Sequence, residues 1–99
     1  VASNKERKAF GERVLRARLE FGARQKPPRS VSQAEVAEAM GTTSVTVGRW
    51  EAGRVEPSLG TIHKLAFVLG VRAAWLAFNE EPMREEKGQS PPTRGSRSA

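Results

Sequence analysis

The stretch SQAEVAEAMGTTSVTVGRWEAG, residues 32–53, decides how the rest of the chain is read. Its first half is rich in alanine and glutamate, which are strong helix formers. In its second half Thr43, Val45 and Val47 alternate with Ser44 and Thr46, and β-branched residues favour extended chain because their χ1 is stiff in a helix. Taken alone, that half is a strand. Its borders argue otherwise. Ser32 followed three residues later by Glu35 spells a capping box, Val36, Ala37 and Met40 can face inward, and Gly41 closes the helix. Thr43 is a good N-cap and Gly53 a good stop, so the spacing predicts a second short helix over 43–52, held by packing more than by propensity.

The same signals organise the chain on both sides. Upstream, Ser3 and Glu6 spell another capping box, and Phe10, Val14, Ala17, Arg18 and Phe21 line one helical face that Gly22 is expected to stop. The basic segment ARQKPPRSV that follows has two consecutive prolines, which forbid helix, and reads as a surface loop over 23–31. Downstream, Pro57 precedes a cap at Ser58. Leu59, Ile62, Leu65, Ala66 and Leu69 then form a one-faced helix ended by Gly70, and VRAAWLAFN forms a short last one whose start is blurred because Arg72 stands where a cap is expected. Residues 1–79 therefore read as a compact five-helix, all-α domain. Residues 80–99 are rich in Pro, Gly, Ser and charge, too polar to offset their ordering entropy, and read as a disordered tail or linker.

Composition narrows the function classes. A chain of 99 residues can bury only about 60–65% of its unfolded surface, so the core is small. The net charge of +6 lies wholly within residues 1–29, and a localised basic surface suits a polyanion or simply keeps the chain soluble. No cysteine excludes disulfides and thiolate metal sites. The lone His63 reads as a solvated helix residue, not a metal ligand. No apolar run approaches the roughly 20 residues that span a bilayer, and no leader is spelled, so the expectation is a cytoplasmic protein without membrane or cofactor. Without a Gly-rich phosphate loop, a Ser/His/Asp set or a metal cluster, an enzyme is not expected.

Two short helices across a glycine turn, the second of weak propensity, suit one task in particular. A helix that enters the DNA major groove by its N-terminal end needs small outward side chains there and two or three buried ones to hold it. With Thr43 as cap, Val47 and Trp50 fall inward, while Ser44, Val45, Thr46, Gly48 and Arg49 fall outward or to the side.

Gln33, Val36-Ala37, Gly41, Trp50-Glu51, Gly53, Pro57, Leu59, Leu65-Ala66 and Leu69-Gly70-Val71 together resemble the phage-repressor, Cro/XRE-type helix-turn-helix family over about residues 8–79. The resemblance implies a lambda-repressor-like fold and a sequence-specific DNA-binding regulator, prokaryotic or phage-encoded. By position it implies that Gln33 bonds a DNA phosphate and that Ser44 and Val45 read bases. Thr43 belongs to the same DNA-facing set, Thr46 and Arg49 reach phosphate or base, and Arg54 meets phosphate. An Arg18–Glu51 ion pair would tie the first helix to the reading helix. The chain departs from the family in the ten residues between Gly22 and Gln33, whose Arg24, Lys26 and Arg29 are expected to touch flanking phosphates. Gly48 departs too, and either clears room for a sugar-phosphate or has no role.

The apolar AAWLAF segment admits two readings: Trp75 and Leu76 pack on the first helix while Phe78 caps the core, or Trp75 or Phe78 forms a two-fold interface. The second is favoured, since two-fold dimers match palindromic operators. The leading expectation is thus a repressor that binds a palindrome as a dimer. The alternatives are an antitoxin whose tail binds a protein partner, and a coactivator-like interaction module that reads no bases.

Overall fold

The structure, a computed structural model, describes residues 3–85. Five α-helices carry the fold: α1 (Asn4–Ala23), α2 (Gln33–Met40), α3 (Ser44–Glu51), α4 (Leu59–Leu69) and α5 (Ala73–Phe78), with no strand among the described residues. The all-α, five-helix architecture is the one the cap and glycine spacing predicts. The β-branched run is helical despite its propensity, because Thr43 caps α3 and burial of Val47 and Trp50 holds it.

Hydroxyl caps start four of the helices. Ser3, Ser32, Thr43 and Ser58 each accept the backbone N–H three residues on, and both predicted capping boxes close. Each such cap is worth about 1 kcal/mol. The ends of α2 and α4 share one device. The N–H of Thr42 donates to Ala37 O at 2.9 Å and that of Val71 to Ala66 O at 3.0 Å, around Gly41 and Gly70 at φ of 75° and 71°. That left-handed backbone is why glycine stands there.

Packing, not propensity, holds these short helices together. The largest fully buried side chains are Val14 of α1, Val47 of α3, Leu65 and Leu69 of α4 and Leu76 of α5. α1 lies against α3, α4 and α5, and α2 against α3 and α4, so α3 is clasped between α1 and α2. Gly11 sets the closeness of α1 to α3, because a Cβ there would lie 2.4 Å from the carbonyl oxygen of Glu51.

Three expectations change. Gly22 does not stop α1, which runs on to Ala23 with Arg24 as its cap. Gly22 is instead the crossing point of the loop: a Cβ there would sit 2.2 Å from Arg29 O, and the Arg29 N–H donates to Gly22 O at 3.0 Å. Leu59 leaves the buried stripe of α4 and is 64% exposed, since the first turn of that helix runs past the edge of the core. Phe78 does not cap the core but is 68% exposed, whereas Trp75 is buried and so not offered to a two-fold interface. As expected, Arg72 supplies no side-chain cap to α5, because a guanidinium has no acceptor for a helix N–H, and it is turned instead to the chain beyond the helix.

That chain is the start of the segment read as a tail. Arg72 donates through Nη1 to Glu80 O at 3.1 Å and Pro82 O at 2.9 Å, and its N–H donates to Met83 O at 2.8 Å. Met83 packs against the core and Arg84 reaches Glu20 of α1 at 3.2 Å. Residues 80–85 thus fold back along the domain, and the expectation of disorder for 86–99 lies outside the described residues.

Candidate nucleic-acid interface

The outward side of α3 is small and polar for a reason visible in its caps. Thr43 Oγ1 accepts from Thr46 N at 3.2 Å and lies 3.2 Å from Thr46 Oγ1, so both hydroxyls are engaged in starting the helix. Val47 and Trp50 anchor the opposite side, at 0% and 6% exposure. Val45 and Arg49, one turn apart, face solvent together with Ser44. Val45 keeps 59% of its surface exposed. Arg49 and Arg54 are exposed and, among the described residues, are not ion-paired. Arg54 is fixed by its backbone, whose N–H donates to Arg49 O at 2.9 Å just after Gly53.

Behind α3 lies the expected ion pair, and it is bidentate. Arg18 Nε donates to Glu51 Oε2 at 2.7 Å and Nη2 donates to Oε1 at 3.0 Å, with side-chain exposures of only 14% and 7%. Arg18 Nη1 also donates to Val31 O at 2.8 Å. One guanidinium thereby joins α1, α3 and the chain leading into α2.

Gln33 is the first residue of α2, as the spacing predicts, but its side chain is not simply extended into solvent. Its Nε2 donates to Glu51 Oε1 at 2.8 Å, and its amide lies over Gly48, where a Cβ would be 3.4 Å from Oε1. This link between Gln33 and Glu51 was not legible in the sequence, since the two residues are 18 apart and on different helices. The space at Gly48 is shared with Gln33.

The loop basics divide. Arg24 and Lys26 are exposed and, among the described residues, not ion-paired, whereas Arg29 Nη1 sits 2.7 Å from Glu35 Oε2. The Glu35 carboxyl is held below the ordinary range, first by the Ser32 backbone N–H and then by Arg29. The arginines of α1 are largely spent inside the domain. Arg13 donates from Nε to Leu76 O at 2.9 Å and from Nη2 to Ala77 O at 3.1 Å, closing the C-terminal end of α5, and burial lowers its pKa. Arg16 stacks 5.7 Å over the Trp75 ring and pairs with Glu20 at 2.9 Å. The basic excess of the first third is therefore not a single polyanion-facing stripe.

A short glycine turn between two clasped helices, with the second helix exposing its N-terminal half, matches a helix-turn-helix family model over residues 23–76. The chain belongs to the helix-turn-helix family. The family is one of transcriptional regulators of the Cro/XRE type, not of enzymes. This helix-turn-helix chain is 36% identical over 67 residues to the SPbeta prophage-derived HTH-type transcriptional regulator YonR of Bacillus subtilis (strain 168), covering 68% of itself and 55% of that protein. It thus spans little more than half the length of that relative. Among solved structures it is similar to the restriction-modification controller protein C.AhdI from Aeromonas hydrophila, with TM-score 0.62, 29% identity, and coverage of 74% of this chain and 94% of that one. The P22 c2 repressor, solved in complex with a synthetic operator, shares the fold at TM-score 0.60 and 21% identity, over 72% of this chain and 96% of that one.

Proposed function

We propose that this chain is a sequence-specific DNA-binding regulator that inserts the N-terminal half of α3 into the major groove and binds a palindromic operator as a dimer. The observation that carries the reading is the exposed face of α3. Ser44, Val45 and Arg49 stand free on a helix whose other side is buried and whose position is fixed by the Arg18–Glu51 pair. Those three chemistries match base edges: a hydroxyl for either partner, a valine for a thymine methyl, and an arginine for guanine O6 and N7. Thr43, Thr46 and Arg54 flank them towards phosphates, and Gln33 meets a phosphate from the start of α2, where the helix dipole also favours an anion. Arg24 and Lys26 extend the contact from the loop, with Arg29 contributing when it leaves Glu35. The dimer reading is supported by a groove of about 590 Å³ between α1, α4 and α5. Leu59 and Phe78 are the exposed apolar residues on its rim, and both charge signs surround it, which suits self-association.

Arg49→Ala tests the reading. It should cut the ratio of specific to nonspecific affinity about tenfold or more if Arg49 reads a base. Equal weakening on every duplex would move Arg49 to phosphate, and no effect on any duplex would contradict its place in the interface.

A further inference from the structure

Glu51 receives more donors than an ion pair requires. Its carboxylate takes two bonds from Arg18 and a third from Gln33 Nε2, with Oε1 shared between Arg18 Nη2 and the glutamine. An ionised carboxylate only accepts hydrogen bonds, so the amide of Gln33 must turn its nitrogen to Glu51 and its oxygen away. The oxygen lies over Gly48, 3.4 Å from where a Cβ would stand. The same Arg18 holds Val31 O, two residues before Gln33. Both the path of the chain into α2 and the rotamer of its first side chain are therefore fixed by one buried pair.

We propose that Glu51 is a positioning residue for DNA binding: it holds the Gln33 amide so that its second Nε2–H is presented to a phosphate. This rests on the DNA reading above and adds a specific coupling to it. A glutamine at a helix start otherwise samples several rotamers, and a hydrogen bond to phosphate made from a preset rotamer loses less entropy on binding. The Arg18–Glu51 pair, which already locks α1 to α3, then also sets the phosphate contact of α2. The reading helix and its neighbour are brought to the DNA in one register.

A double-mutant cycle in the full chain tests this. The probe is the duplex recovered by selection from a random library, with a scrambled duplex alongside, and thermal melts verify folding of each variant. Gln33→Ala should weaken binding about tenfold, the scale of a hydrogen bond to a charged group. Replacing both partners of the buried pair, Arg18→Met with Glu51→Leu, removes the acceptor without leaving a lone buried charge. It should weaken binding more when residue 33 is glutamine than when it is alanine, by about the factor that Gln33→Ala costs alone, the loss common to both backgrounds being the pair's hold on α3. Arg18→Leu with Glu51→Met, a second apolar replacement of the pair, runs the same cycle if the first does not fold. Equal losses in both backgrounds, or no loss beside Gln33, would overturn the positioning role. Failure of the unaltered chain to bind either duplex would overturn the DNA reading instead.

Discussion

Gly48 shows how one residue carries both stability and fit. Glycine inside a helix gives up about 1 kcal/mol against alanine. The position is not closed to a methyl group, because a Cβ would meet the Gln33 amide at 3.4 Å, an ordinary contact. Gly48→Ala should therefore stabilise the chain by up to about 1 kcal/mol and raise its melting temperature by about 4–8 °C. A lowered melting temperature would show that the amide needs the whole space. Glu35 sets a second residue-scale expectation, in acid. Its folded pKa is depressed by the Ser32 N–H and Arg29, and that of Glu20 is depressed by Arg16 and Arg84. A depressed carboxylate contributes stability that is present above its unfolded pKa of about 4.3 and is lost as pH falls through the folded value. Thermal melts should hold level from pH 7 down to about 5 and decline below about 4.3. Glu35→Gln should flatten that decline, and an unchanged curve would contradict the link. Of the candidate contacts, Ser44, Val45 and Arg49 were legible because helical spacing alone sorts inward from outward positions. The Gln33–Glu51 bond was not, because nothing local couples the first residue of one helix to the last of the next.

Among the elements, α1 and α3 approach so closely that their backbones nearly touch. A methyl group at Gly11 would lie 2.4 Å from Glu51 O and 2.5 Å from Trp50 O, and backbone cannot step aside as a flexible side chain can. Gly11→Ala should destabilise the domain by about 2 kcal/mol or more, read from the denaturation midpoint, since overpacking must part the two helices. A neutral result would mean that α1 does not seat on α3 in this way. α5 is held differently, with no side-chain cap at its start and Arg13 on its last carbonyls. Helix starts were readable from sequence wherever a hydroxyl residue stands at the cap and accepts the backbone N–H three residues on, as at Ser3, Ser32, Thr43 and Ser58. Gly22 is not the stop that a glycine near a helix end looks like, because chain returning at Arg29 crosses it. Arg72 is the missing cap that it looks like, and what the sequence does not show is that residues 80–83 return to take its guanidinium and its N–H.

On the scale of the whole molecule, charge and apolar surface are distributed to separate duties. Arg13, Arg16 and Arg18 fasten α1 to α5 and α3, so the loop cations Arg24 and Lys26 are the basic groups near the start of α2 still open to a polyanion. Arg24→Ala with Lys26→Ala should lower the slope of log affinity against log salt by about two, and an unchanged slope would remove the loop from the interface. No residue of α3 lines the α1–α4–α5 groove that carries Leu59 and Phe78, so the second copy proposed there would leave α3 uncovered. The central claim is that this surface reads a sequence, and selection from a random duplex library at about 150 mM salt tests it most directly, followed by affinity for the winner and for a scramble. An enriched inverted repeat bound about a thousandfold or more tighter than the scramble is the result predicted. Binding that is salt-labile and indifferent to sequence, with nothing enriched, would contradict it.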